Sequence, residues 1–181
     1  MSVSAPNEEH SQVALGNTVA HHHAYRVCHT PTCGTSPRLA PPAATISRMY
    51  DLEPQRVRHM AGVARTAASL APEFGLSPTD MYVLGLLHDV GYAFNPADHA
   101  HAGGLALRAA GYRYWEQVYH HGDPSAPSDS RELALLNLAD MTTSPTGEPC
   151  TVDERLADIA RRYGEESSQL VDARRVVDLL G

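Results

Sequence analysis

The segment MYVLGLL, Met81 to Leu87, constrains the fold most, because it is apolar on every side of a helix. Such a helix is stable only where other elements surround it, so we expect it to be central. Ser77, with a proline after it and Asp80 three residues on, is typical of a helix N-terminus. The far end of the segment carries two polar residues side by side, His88 and Asp89.

The rest of the chain from Asp51 onward also has helical periodicity, and no segment alternates as a strand would. The sequence therefore predicts an all-α fold of about seven helices. We expect Gly75 to end the first helix, and Ser128 or Asp129 to cap the fifth. Thr151 and Glu154 predict a capping box at the sixth. The apolar stripe of the first helix comprises Val57, Met60, Val63, Ala64, Ala67 and Leu70.

Residues 1–48 differ from the remainder, because Pro, Ser, Thr, Gly and Ala dominate and no helical period persists. We interpret them as a disordered N-terminal leader, followed by a helical domain over residues 49–181. Met49 lies at this boundary and is a possible alternative start. The leader also contains Cys28 and Cys33 near several histidines, a spacing that could bind zinc, but a second paired half-site is missing.

Composition narrows the class of protein. The chain has 181 residues, a formal net charge of -7 and 14 basic residues, all of them arginine. An acidic chain is poorly suited to non-specific binding of nucleic-acid duplexes, and no apolar run approaches the length of a membrane span. Three cysteines do not form a disulfide framework, and no secretory signal is recognisable, so we expect a cytoplasmic protein.

Histidines and aspartates recur where apolar stretches end. An ionised carboxylate buried among apolar residues costs several kcal/mol unless backbone groups or a cation compensate it. Imidazole and carboxylate without thiolate suit Zn, Fe, Mn or Co, and one aspartate can bridge two ions. Five successive helices carry such residues: His59; His88 and Asp89; His99 and His101; His120 and His121; Asp140.

This set resembles the HD-domain superfamily of metal-dependent phosphohydrolases, which is all-helical and named for its adjacent His-Asp. The segments RVRHMAGVA, LLHDVG, HAHAG, VYHHG and LADM, between Arg56 and Met141, are similar to its successive motifs. In HAHAG the histidine four residues before glycine is the one that matches, which favours His99 over His101.

The resemblance implies two divalent ions, from Fe, Mn, Zn or Co. His59, His88, Asp89 and Asp140 would hold the first. His99 and His120 would hold the second, with Asp89 bridging the two. The implied catalytic residues are Asp89, His121 and Arg56. His121 is either a further ligand or a proton donor to the leaving oxygen. Arg56 would bind phosphate oxygens.

The implied activity is hydrolysis of a phosphoester or phosphoanhydride of a small phosphorylated molecule or nucleotide by metal-bound hydroxide. Two alternatives remain open: a di-iron oxygenase on the same ligands, and a degenerate domain used for binding. The lysine that many nucleotide-hydrolysing members carry two or three positions after His-Asp is absent here, where Gly91 and Tyr92 stand. Arg58 and Arg108 are further candidates for phosphate contacts. We expect Arg56 to face the same side as His59, and Arg58 to turn away.

Overall fold

The structure is a computed structural model that describes residues 51–127 and 129–181. The predicted leader and its zinc-binding alternative lie outside these residues. Within them the chain forms seven α-helices, two short 3-10 helices and no strand, which confirms the all-α fold class. The α-helices are α1 (Pro54–Leu70), α2 (Pro78–Leu87), α3 (His99–Ala109), α4 (Trp115–His120), α5 (Arg131–Met141), α6 (Val152–Tyr163) and α7 (Ser168–Leu180). The 3-10 helices, Val90–Ala93 and Pro96–Asp98, connect α2 to α3.

The main core forms around α2, as its apolar sequence predicts. Met81 and Leu84 of α2 are fully buried against the apolar stripe of α1 and residues of α5. The crossing of α1 and α2 is close, because a Cβ atom added to Gly85 would lie 2.8 Å from Cα of Ala64. Small residues at this crossing let α1 approach α2, so the last turn of α2 comes to lie beside His59 on α1.

A smaller apolar cluster joins the C-terminal helices to α5. Met141 at the end of α5, Ile159 on α6 and Leu170 on α7 form its buried centre. Because α6 is strongly amphipathic, one of its faces packs on this cluster while its arginines lie beside or outside it. This packing brings the first turns of α6 next to Asp140.

Most of the predicted helix ends are present, and two are corrected. The Ser77 hydroxyl accepts a hydrogen bond from the Asp80 amide, and Thr151 and Glu154 form the predicted capping box. The first helix ends at Leu70 rather than near Gly75, which instead closes the turn that follows with φ 67°. The cap of α5 is Ser130, whose hydroxyl accepts from the Leu133 amide. The prediction of Ser128 or Asp129 placed this cap too early, because three neighbouring polar residues look alike in sequence.

None of the helices in the described part of the chain is both long and apolar enough to cross a membrane.

Candidate metal centre

Asp89 lies at the centre of the candidate site. It follows the C-terminal end of α2 and is 3% exposed. Its Oδ2 atom accepts a hydrogen bond from Nη1 of Arg56 at 2.6 Å. The predicted orientation of α1 is thereby confirmed, because Arg56 faces the site with His59 while Arg58 is exposed. The carboxylate is thus held in a fixed orientation within a buried environment.

Three buried histidines each place Nδ1 within hydrogen-bond distance of a backbone carbonyl oxygen. Nδ1 of His59 lies 3.0 Å from the carbonyl oxygen of Ser144, Nδ1 of His88 lies 2.8 Å from that of Gly85, and Nδ1 of His121 lies 2.6 Å from that of Val118. A carbonyl oxygen only accepts, so the proton of each neutral ring is on Nδ1. Each Nε2 then carries a lone pair.

These Nε2 atoms converge on the carboxylate of Asp89. Nε2 of His88 lies 3.4 Å from Oδ2, and Nε2 of His121 lies 3.4 Å from Oδ1. Nε2 of His59 is 4.0 Å from Oδ2. All three Nε2 atoms are buried and have no hydrogen-bond partner among the described residues. Lone pairs that face a carboxylate across such distances repel it unless a cation lies between them.

His99, the first residue of α3, completes the group on the other oxygen of Asp89. Its Nε2 lies 3.3 Å from Oδ1, and its ring stacks on Tyr92 at 4.1 Å between centroids. Burial lowers the pKa of His99 to about 4, although Asp89 opposes the shift. His99 is therefore neutral at physiological pH, which is the form that binds a metal.

Asp140 near the end of α5 adds a second carboxylate. Its Oδ1 atom lies 2.9 Å from Nε2 of His59 and 3.0 Å from Nη2 of Arg155. Burial raises the pKa of Asp140, but the charge of Arg155 and the proximity of His59 outweigh it and hold the pKa well below its usual range. Burial likewise opposes ionisation of Asp89, but its contacts with His88 and His121 and the charge of Arg56 hold its pKa well below the usual range. Both carboxylates are therefore ionised.

The ligand atoms fall into two groups that share Asp89. His59, His88 and Asp89 form one, and Asp89, His99 and His121 form the other, each with atoms within 4.8 Å of one another. The two groups use different oxygens of Asp89, which is the arrangement a bridging carboxylate needs. Because the orphaned Nε2 atoms and the ionised carboxylates are the donors that divalent Fe, Mn, Zn or Co prefer, the residues fit a metal centre.

Two residues of the predicted ligand set are in neither group. Asp140 contacts the first group through His59. His120 lies apart from both; its Nδ1 lies 3.9 Å from Oδ2 of Asp123, and its side chain is 32% exposed. His121 takes the place predicted for it. The helix α4 ends at His120, and His121 leaves it with extended backbone (φ −64°, ψ 136°). The sequence did contain an indication that His121 is the buried residue of the pair. His121 is three residues after the buried Val118, and residues three apart share a helix face.

The other candidate residues lie outside the site, whereas one arginine that was not a candidate contacts it. His101 lies outside the site, where its Nδ1 contacts Asp98 at 2.9 Å. Arg108 is exposed and stacks over Trp115. Arg155, by contrast, contacts the site through Asp140 and was not anticipated from the sequence. No spacing rule connects a residue on α6 to Asp140, since the turn between α5 and α6 decides which face meets the site.

Two cavities open beside this centre. One has a volume of about 240 Å³ and reaches Asp89, His99 and His121. The other, of about 390 Å³, extends past His59 toward the start of α1. They share four lining residues, Arg56, Tyr92, Arg155 and Arg162. A ligand at the metal centre would therefore contact arginine side chains.

This all-helical fold with clustered histidines and aspartates is of the kind that the sequence resemblance implied. The family model described as HD domain matches residues 56–163. The chain belongs to the HD domain family.

The chain is also similar to two curated ribonuclease Y proteins. It is 32% identical to that of Clostridium novyi (strain NT), over 68% of this chain and 27% of the relative. It is 31% identical to that of Clostridium tetani (strain Massachusetts / E88), over 68% of this chain and 26% of the relative. The chain thus spans about a quarter of the length of these relatives. No solved structure matches the chain.

Proposed function

We propose that this protein is a metal-dependent phosphohydrolase that cleaves a phosphoester or phosphoanhydride of a small phosphorylated molecule or nucleotide. One observation carries the proposal: three buried imidazoles donate Nδ1–H to backbone carbonyls and turn Nε2 toward the carboxylates of Asp89 and Asp140. Without a cation, these rings in their neutral form would leave three buried acceptors uncompensated, at a cost of about 1–3 kcal/mol each.

In this proposal His59, His88, Asp89 and Asp140 would hold one ion, and Asp89, His99 and His121 would hold a second. Bound ions would supply an activated water and charge to neutralise the attacking and leaving oxygens. His121 is a ligand here rather than a proton donor, because its Nδ1–H donates to the carbonyl oxygen of Val118 and its Nε2 faces Asp89.

The chain's own cations would complete the site. Arg56 fixes the orientation of Asp89 and lines both cavities, so its remaining N–H groups can donate to phosphate oxygens. Its guanidinium lies 3.8 Å from the centre of the Tyr92 ring, which restricts its motion. A planar, restricted guanidinium loses little entropy when it binds a phosphate.

The similarity to ribonuclease Y supports a substrate that contains a nucleotide, because a ribonuclease acts on phosphodiester bonds of RNA. Only about a quarter of those relatives is matched, so the substrate of the whole relative does not transfer directly. Single-stranded oligoribonucleotides therefore belong among the substrates to be tested, beside nucleotides and simple phosphate esters.

The test is metal analysis together with hydrolysis assays. Protein purified without added metal is analysed for Fe, Mn, Zn and Co, then assayed on a phosphomonoester, nucleotides and a short oligoribonucleotide. We expect bound divalent metal and metal-dependent phosphate-bond cleavage. His99→Ala should lose most activity, whereas His101→Ala, a change on the same helix, should not. Absence of bound metal, or oxygen-dependent turnover by two irons without phosphate-bond cleavage, would contradict the proposal.

A further inference from the structure

Arg155 on α6 is buried, and not every N–H donor of its guanidinium has an acceptor. It is 7% exposed, its Nη2 contacts Oδ1 of Asp140 at 3.0 Å, and its Nη1 lies 3.7 Å from Oδ2 of Asp158. Its Nε atom is buried and has no hydrogen-bond partner in the described part of the chain. Guanidinium groups are rarely buried unless acceptors satisfy them, so this side chain is suited to an anionic ligand.

On α6, which carries three acidic residues and three arginines, one aspartate is shared by all three arginines. Asp158 is the shared partner of three arginines: it lies 3.7 Å from Arg155, 2.6 Å from Arg161 and 2.5 Å from Arg162. One carboxylate cannot neutralise three guanidinium groups. Asp140, the other partner of Arg155, contributes its charge to the metal centre in the proposed function. Arg155 and Arg162 therefore share their carboxylate partners with other groups and keep N–H donors for a further acceptor.

The two cavities bring this charge to the metal centre. Arg155 and Arg162 line both of them, and Arg56 does so from the side of α1. Arg161 lines neither and is 70% exposed on its side chain, whereas Arg162 is 35% exposed. Arg155 and Arg162 are therefore the two arginines of α6 within reach of a ligand in these cavities.

We infer that Arg155 and Arg162 form a second phosphate subsite, so that the substrate carries at least two phosphate groups. The inference rests on the proposed function and narrows its substrate class. One phosphate would lie at the metal centre beside Arg56, and its neighbour would lie against α6. An anhydride-linked phosphate and a phosphate across a ribose offer the same oxygen atoms, so both sources fit the subsite chemistry.

The experiment measures binding by titration calorimetry with the full chain saturated with Mn²⁺. The probes are AMP, the α,β-methylene analogue of ADP and adenosine 3′,5′-bisphosphate, each recovered afterwards and checked for hydrolysis. We expect one or both two-phosphate ligands to bind about tenfold or more tightly than AMP, as an added charge-assisted contact predicts. Tighter binding of the ADP analogue alone would identify an anhydride-linked second phosphate. Tighter binding of the bisphosphate alone would identify a second phosphate on the other side of the ribose.

Arg162→Gln should remove this preference, and Arg161→Gln, the adjacent change with the same carboxylate partner, should keep it. Metal content should be unchanged in both, since neither arginine contacts Asp89 or Asp140. Equal affinity for all three ligands, or equal effects of the two substitutions, would overturn the inference. The two proposals fail separately: preferential binding without any hydrolysis refutes only the hydrolase, and hydrolysis without the preference refutes only the subsite.

Discussion

Gly91 lies directly against the start of α3, where a Cβ atom built on it would come within 1.7 Å of the carbonyl oxygen of His99. Such a contact is possible only for glycine. Because Gly91 follows Asp89 by two residues, this contact sets the distance from the first helix turn of α3 to the carboxylate. The glycine of the His-Asp segment therefore positions His99.

Gly91→Ala should displace His99 and destabilise the protein by about 1–3 kcal/mol, as expected for overpacking against backbone. Gly111→Ala is the matched control, since Gly111 has φ 73° but no atom within 4 Å of an added Cβ. It should cost about 1–2 kcal/mol through backbone strain alone. Urea unfolding and metal analysis should show that only Gly91→Ala lowers metal content. A normal metal content in Gly91→Ala would contradict the positioning role.

The pair His120 and His121 gives a second prediction. His121→Ala should lower activity by orders of magnitude and reduce bound metal, because it removes an Nε2 ligand that contacts the Asp89 carboxylate. His120→Ala should change activity by less than about threefold, since its contact with Asp123 is partly exposed. Steady-state kinetics on both variants decide between the two histidines. The opposite ranking would restore His120 as the ligand.

This pair also shows how far the sequence could define the site. Residue types and motif spacing located His59, His88, Asp89, His99 and Asp140, because each stands at the apolar border of its own helix. The end of α4 could not be fixed to one residue, and neighbouring residues of a helix point about 100° apart, so only one of the two histidines can face the site. Arg155 was not found for a related reason, since its contact with Asp140 depends on the packing of α6 against α5.

The fold itself was more predictable than the caps. The central position of α2 follows from its apolar sequence, and the N-cap pattern at Ser77 and the capping box at Thr151 identified two helix starts. The cap of α5 could not be chosen among three adjacent polar residues, because hydroxyl and carboxylate groups all accept the same hydrogen bond. Only the geometry of the preceding loop distinguishes Ser130.

The pH dependence of stability offers a third prediction, for protein stripped of metal. Burial lowers the pKa of His99 to about 4 in the folded state, whereas an unfolded histidine titrates near about 6.5. The unfolded state then binds the proton first, so stability falls as pH drops from about 6.5 to about 4, by up to about 3 kcal/mol. Urea unfolding at a series of pH values measures this loss.

His99→Gln should flatten the curve in that window, while His101→Gln should retain the loss. The carboxylates do not interfere there, because the folded-state pKa values of Asp89 and Asp140 are depressed. Their contribution is complete above the unfolded pKa of about 4 and is lost only as pH falls through the folded values. A curve for His99→Gln that is as steep as the wild type would rule out His99 as the source.

The central claim is that Asp89 bridges two ions, and metal stoichiometry tests it most directly. Wild type should hold two equivalents, and His99→Ala should retain mainly the ion held by His59, His88 and Asp140. Asp89→Ala should lose both, because each group of ligands loses its shared carboxylate. Asp123→Ala, which removes a partly exposed carboxylate beside His120, should hold as much metal as wild type. If Asp89→Ala still binds two equivalents, Asp89 is not the bridge.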